Sequence, residues 1–204
     1  MRTPEAEKTI ASGMDPKRRE RVSRLSLPEW ALIGGVLLLI LAAAIPAWAA
    51  WQQRERLVMA RHDIATLQAA ILRYHREYGT WPAEATTGGT DTRFGARRPN
   101  AALIRVLRSD LLQDDQAAEL NPQRMIFIEV EPYRVGWSGL NSSGEFLDPW
   151  GVPYQLALDS NYDGSTQIEG SPYGRVSGVG ALIWSYGPDR QPETPDDLVS
   201  WDRK

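Results

Sequence analysis

The sequence predicts an α+β protein in which a long N-terminal α-helix packs on a small antiparallel β-sheet. Three observations carry this expectation. Residues 30–51, with Trp30 and Trp51 at the ends, form an uncharged apolar run of 22 residues, long enough to cross a bilayer as one helix. Beyond it, Leu57, Ala60, Ile64, Leu67, Ile71, Tyr74 and Tyr78 recur at alternating spacings of three and four, the seam of an amphipathic helix. Segments 125–130, 154–158 and 181–185 are rich in β-branched and aromatic residues and are bounded by Gly, Pro, Asn and Asp. They read as strands, and a helix followed by a few strands is an α+β arrangement.

Taken in order, the chain divides into four parts: a basic leader (1–24), a transmembrane helix (25–52), an amphipathic stem (53–82) and a globular domain (83–204). The leader holds seven Lys/Arg and four Asp/Glu, a net of plus three, including Lys17-Arg18-Arg19-Glu20-Arg21. Residues 81–204 hold eleven and eighteen, a net of minus seven. Basic residues just before a span favour a cytoplasmic N-terminus and an exported C-terminal domain. An acidic exported domain argues against a nucleic-acid partner, because phosphate contacts dominate such binding. It suits divalent cations. The chain has no cysteine, so an exported domain must draw its stability from packing or a bound ion rather than disulfides.

Within the span, Glu29 stands at the mouth of the apolar run, where a carboxylate needs a partner, and Pro46 is expected to loosen the helix locally. Ala47-Trp48-Ala49 also has the small-x-small form of a signal-peptidase site. The run is long for a signal peptide and the helical pattern does not stop there, which favours a retained anchor. Counted from Trp30 to Tyr78, the helix is on the order of 75 Å long at 1.5 Å per residue. Gly79 supplies a left-handed cap and Pro82 blocks further helix. His62 and His75 lie on different sides of the stem and read as ordinary polar-face residues.

Residues 83–99 read as a loop rich in Thr, Gly and Arg. Asn100 is placed to cap a short helix running through Leu112, with Leu103, Val106, Leu107 and Leu111 on one face. Asp114-Asp115 and Asn121-Pro122 break it.

The chemistry-bearing segments are acidic loops. In the tail from Trp184 to Asp197, three aspartates (Asp189, Asp196 and Asp197) fall within nine residues, stiffened by three prolines and a glycine. Two readings follow from spacing: hard oxygen ligands for calcium, or Asp196-Asp197 capping a final turn that contains Leu198 and Val199. A second loop, Asp159-Ser160-Asn161-Tyr162-Asp163-Gly164, opens like an EF-hand. Its twelfth position is Gly170 instead of glutamate, so an Asx-stabilised hairpin turn is the favoured reading. Catalytic patterns are poor. There is no thiol nucleophile, both histidines sit on the stem, and no phosphate-cradling glycine loop occurs. Asp148, Asp189 and Asp196 are the acids that could pair for acid–base chemistry, but nothing marks a cleft, and the expectation is a protein that is not an enzyme.

Several of these segments together resemble the type IV pilin-like proteins, most of all the major pseudopilin (the G subunit) of type II secretion. The carriers are Ile40-Leu41-Ala42-Ala43-Ala44-Ile45-Pro46, the stem ending Tyr78-Gly79-Thr80-Trp81-Pro82, the stretch Asp148-Pro149-Trp150-Gly151-Val152-Pro153-Tyr154, and the tail to Trp201. The resemblance implies a structural subunit of a short filament, with its own copies, other pseudopilins and an inner-membrane assembly platform as partners. It would sit in a bacterial inner membrane with its domain in the periplasm, and filament extension would push exported proteins outward.

In that family a peptidase cuts ahead of a phenylalanine, and a glutamate further on pairs with the new amine of a neighbouring subunit. The matching positions are Arg24 and Leu25 for the junction, with arginine in place of glycine and leucine in place of phenylalanine. Glu29 matches the glutamate, seventeen residues before Pro46, and is itself preceded by Pro28. The resemblance further implies calcium held by Asp189, Asp196 and Asp197 with the carbonyl of Tyr186. An uncut chain would instead be a membrane-anchored interaction or regulatory module with a calcium-stabilised exported domain.

Overall fold

The computed structural model describes residues 26–83, 91–96, 98–110, 115–168 and 173–201. The chain falls into two compact units, Met1–Ala47 and Trp48–Lys204. Helix α1, Leu27–Tyr78, belongs to both.

In the first unit the described residues are helical after Ser26, and their apolar side chains are uncovered, as at Leu38, Leu39 and Ile45. This helix is long and apolar enough for either a membrane span or a signal sequence. Pro46 lies inside it and the helix is not ended there.

The second unit is built around the rest of α1. Ala60, Ile64, Leu67, Ala70, Ile71 and Tyr74 are buried and Leu57 and Tyr78 pack beside them, so the seam read from spacing is the core-facing stripe. Gly79 adopts φ +71 and returns its N–H to the His75 carbonyl at 2.8 Å, ending the helix with a left-handed residue. His75 stacks on Trp81, with ring centroids 4.0 Å apart.

Four strands make the main antiparallel sheet: β1 (Thr92–Phe94), β4 (Gln155–Leu158), β7 (Ala181–Ser185) and β8 (Leu198–Val199), in the order β1-β4-β7-β8. Leu156 pairs with Ile183 and Ala157 with Leu182. Both central strands are buried throughout, because the sheet is covered on two sides. Leu156, Leu158, Ala181 and Ile183 join the α1 seam, whereas Ala157, Leu182 and Trp184 join a second cluster with Ile168, Val176 and Trp201. Hairpin β5 (Ser165–Gln167) and β6 (Arg175–Ser177) belongs to that second cover. Burying both faces accounts for continuous apolar strands where a one-sided sheet alternates. Two further strands, β2 (Gly139–Leu140) and β3 (Phe146–Leu147), pair as a small separate ribbon.

Helices α2 (Ala101–Arg108) and α3 (Asp115–Leu120) complete the unit. Leu103, Val106 and Leu107 are buried as the pattern predicts, while Leu111, Leu112 and Asp114 lie outside the described residues. Three expectations need correction. Residues 125–130 are not a strand: their amides turn to the α2 carbonyl of Leu107 (from Phe127, 2.8 Å) and to the Asn121 side chain (from Met125, 3.0 Å), leaving no ladder. The stretch 83–99 contains β1, too short to read from three residues. Asn100 makes no side-chain cap. Its amide bridges the carbonyls of Phe146 and Tyr154 (both 3.0 Å) and receives the Phe146 N–H (2.9 Å), tying α2 to β3 and β4.

Candidate functional site

The acidic tail loop rests on a buried carboxylate. Asp148 is fully buried and accepts the N–H groups of Trp150 and Val152 (both 2.9 Å) and the hydroxyl of Ser185 (2.6 Å). The Pro149-Trp150-Gly151 corner folds over it because Gly151 supplies φ +85. Burial pushes the Asp148 carboxyl above the usual carboxylate range, against the pull of the Ser185 and backbone donors. Ser185 in turn receives the N–H of Gly187 at 3.1 Å, so the seat continues into the first turn of the loop.

The same stretch reaches the stem. Trp150 donates its indole N–H to Gln53 Oε1 (3.3 Å), and Tyr154 donates its hydroxyl to Asp63 Oδ2 (2.9 Å). Burial raises the Asp63 carboxyl, opposed by hydrogen bonds from Ser138 and Tyr154, and burial also raises the Tyr154 phenol well above its ordinary value. The Asp-Pro-Trp-Gly-x-Pro-Tyr stretch is therefore a three-way joint between stem, sheet and tail loop.

Within the loop, Gly187 adopts φ +70 and a Cβ there would stand 2.5 Å from the Asp196 carbonyl oxygen, so the return strand lies directly on it. Arg190 and Glu193 hold positive φ without being glycine, the mark of two sharp corners. Asp189 and Asp196 meet through the Asp189 N–H and Asp196 Oδ2 at 3.2 Å. Thr194 Oγ1 joins Asp196 Oδ1 (2.7 Å) and Asp197 Oδ1 (3.2 Å), and Asp197 also accepts the Glu193 N–H (2.9 Å) and the Tyr173 hydroxyl. Asp189 Oδ1 accepts the Gln191 N–H at 2.8 Å.

The loop thus brings the three acids into one hydrogen-bonded network, with Tyr186 half-buried and its phenol raised by burial. Each carboxylate is turned to donors of its own loop or of Tyr173. Among the described residues no group of three or more His, Asp or Glu side chains is gathered as metal ligands. The donors are hard oxygens of the kind calcium takes. Asp196-Asp197 do not cap a terminal turn, because Leu198 and Val199 form β8 beside β7.

The Asp159–Gly164 loop connects the end of β4 to β5, and so links two sheets instead of turning a hairpin. Asp159 accepts the N–H groups of Asp163 (3.1 Å) and Gly164 (3.0 Å), and Asp163 accepts the N–H and hydroxyl of Ser165 (2.9 and 2.6 Å). Asn161 Oδ1 takes the Asp163 N–H at 3.0 Å. These are Asx turns, as the missing terminal glutamate suggested. Glu169 and Gly170 lie outside the described residues, as do Arg24 and Leu25.

At the other end of the chain, Glu29 Oε2 accepts the N–H and hydroxyl of Ser26 (2.6 and 2.8 Å). Ser26-Leu27-Pro28-Glu29 has the Ser-x-x-Glu form of a capping box, with the glutamate's half of it made, and Pro28 falls in the first helical turn, where a missing N–H costs nothing. The Ser-x-x-Glu spacing is visible in the sequence and supplies Glu29 with a local, uncharged partner. Nothing local in the sequence marks Ser185, Thr194 and Tyr173; they are site residues because the fold brings them to the aspartates. Comparison with family models, with curated proteins and with solved structures finds no match for this chain.

Proposed function

We propose that this chain is a membrane-anchored, pilin-like structural subunit, of the kind that builds a type II secretion pseudopilus in a bacterial inner membrane. The observation that carries this reading is the division of labour along α1. Its first part is uncovered and apolar, while buried residues from Ala60 to Tyr74 belong to the core of the α+β domain. An apolar segment followed by a packed domain on one continuous helix suits an anchored subunit that works by assembly and without catalysis. Copies of the chain, other pilin-like subunits and an assembly platform are its partners in this reading.

A second reading is favoured by the capping box. Glu29 already has local donors in Ser26, so it does not require the amine of a neighbouring subunit, and an uncleaved, single-pass interaction module satisfies the same chemistry. N-terminal sequencing of the chain extracted from membranes separates them. A start at Leu25 supports the filament subunit, a start at Met1 supports the anchored module, and a start near Ala50 sinks both by showing a cleaved signal. Calcium is proposed as the ion of the tail loop, through Asp189, Asp196, Asp197 and the Tyr186 carbonyl, which requires the carboxylates to exchange their internal donors for the ion. A chelator should then lower the melting temperature of the wild type and leave Asp189→Ala unchanged; equal melting of the wild type with calcium and with chelator would remove the ion from the proposal.

A further inference from the structure

A hairpin that neither the joint nor the acidic loop uses leads to one more surface. Residues 131–140 fold back on themselves, with the Tyr133 N–H on the Leu140 carbonyl (2.8 Å) and the Leu140 N–H on the Glu131 carbonyl (2.9 Å). The tip is a tight turn: the Trp137 N–H meets the Arg134 carbonyl at 2.8 Å and Gly136 takes φ +85, the type II form with glycine third. Gly139 lets the two arms touch, since a Cβ there would stand 2.6 Å from the Tyr133 backbone.

The hairpin lies against the stem. Ser138 bonds the Asp63 carboxylate and directs its N–H to Met59 Sδ (3.4 Å). Two residues on, a Cβ on Gly136 would stand 3.1 Å from the Arg56 guanidinium. The tip therefore stands beside Arg56, closer along α1 to Trp51 than the Ser138 contacts are. Arg56 is only about 7.5 Å of helix rise from Trp51.

The side chains at this end are those of a membrane interface. Val135 is 89% and Trp137 61% exposed, and Trp48 and Trp51 are uncovered on the helix. In sequence, Arg54 and Arg56 follow Trp51 and Arg134 precedes Val135, against Glu55, Glu129 and Glu131. Indole rings and arginines are enriched at headgroup level, whereas an exposed Val-Gly-Trp tip gains nothing in water.

We infer that the Val135-Gly136-Trp137 tip is a lipid-contacting wedge, seated in the headgroup layer of the leaflet from which α1 emerges and holding the head against an anionic phospholipid surface. This rests on the reading of residues 30–51 as a membrane span. It gives the head a lipid contact of its own.

Because the chain lacks cysteine, single labels are clean. Full-length Val135→Cys, Leu38→Cys and Ile126→Cys, each spin-labelled, are reconstituted in vesicles of phosphatidylethanolamine with a minority of phosphatidylglycerol. Collision with oxygen and with a water-soluble nickel chelate is then measured. Ile126 is exposed on the segment held by Asn121 beside Tyr78, far along the stem. The expected result is lipid-like collision at Leu38, water-like collision at Ile126, and nickel access at Val135 reduced several-fold below Ile126 with oxygen access raised. Water-like values at Val135 with lipid-like values at Leu38 overturn the wedge and leave the span standing. Loss of both collisions at Val135 would place a second protein there and also overturn it. Water-like values at Leu38 overturn the span itself, and the wedge with it.

Discussion

Replacing Asp148 tests whether the buried carboxylate is the seat of the tail loop. Asp148→Ala leaves the Trp150 and Val152 N–H groups and the Ser185 hydroxyl without their acceptor. A buried donor left unpaired costs about 1–3 kcal/mol, and removal of a desolvated carboxylate returns part of that. The net expectation is about 2–4 kcal/mol, a large share of the roughly 5–15 kcal/mol that holds a domain together. For a chain of this size that is roughly 4–16 °C in melting temperature. Asp148→Asn keeps one oxygen for the two amides and loses the Ser185 donation, so it should cost less than about 1.5 kcal/mol.

The assay is thermal and urea unfolding of the full chain in detergent, followed by near-ultraviolet circular dichroism of its tryptophans. The pH dependence adds an internal check. A carboxyl raised by burial binds its proton more readily folded than unfolded, so wild type gains stability as pH falls toward the ordinary carboxylate value. The Asn variant does not, and wild type should pull ahead of it in mild acid. An Ala variant within about 0.5 kcal/mol of wild type, or an Asn variant as unstable as Ala, refutes the seat.

Two further outcomes follow from the same geometry. Gly187→Ala places a Cβ against the Asp196 carbonyl at a positive φ, strain of about 1–3 kcal/mol; limited proteolysis should nick residues 186–197 faster, and an unchanged digest would show that the close approach is not held in solution. Acid titration of the whole domain should be non-monotonic: Asp63, Asp91 and Asp148 are raised by burial and stabilise the fold as pH drops toward 3.8. Below 3.8, protonation of Asp163 and Asp196, both lowered by hydrogen bonds from neighbouring hydroxyls, removes stability again. A melting temperature that falls steadily from neutral pH would contradict that assignment.

What the sequence made legible was whatever depends on repetition. The stem seam is seven apolar residues at helical spacing, and residues 181–185 are an apolar run between turn formers; both stand in the structure where periodicity puts them. The misreadings occur where pairing is decided by distant residues. Residues 125–130 have strand composition and an extended course, yet Leu107 and Asn121 take the hydrogen bonds a neighbouring strand would have taken. Asn100 and Asn121 look like helix punctuation, and both are buried cross-links whose amides bind carbonyls up to 54 residues away. The candidate site divides the same way. Its aspartates are visible as a cluster, but that Asp197 meets Tyr173 and Asp148 meets Ser185 is information held by the sheet.

The order in which the core is synthesised has a consequence for folding in the cell. The seam of α1 is made early, but the strands that cover it, β4 and β7, follow only at residues 155–158 and 181–185, and β8 later still. Contacts of that sequence separation form slowly. A nascent chain interrupted before residue 181 therefore lacks the Ala181, Ile183 and Leu198 side chains of that core, leaving apolar surface open to proteases and holdases. Completion of the sheet is thus the step that closes the core around α1.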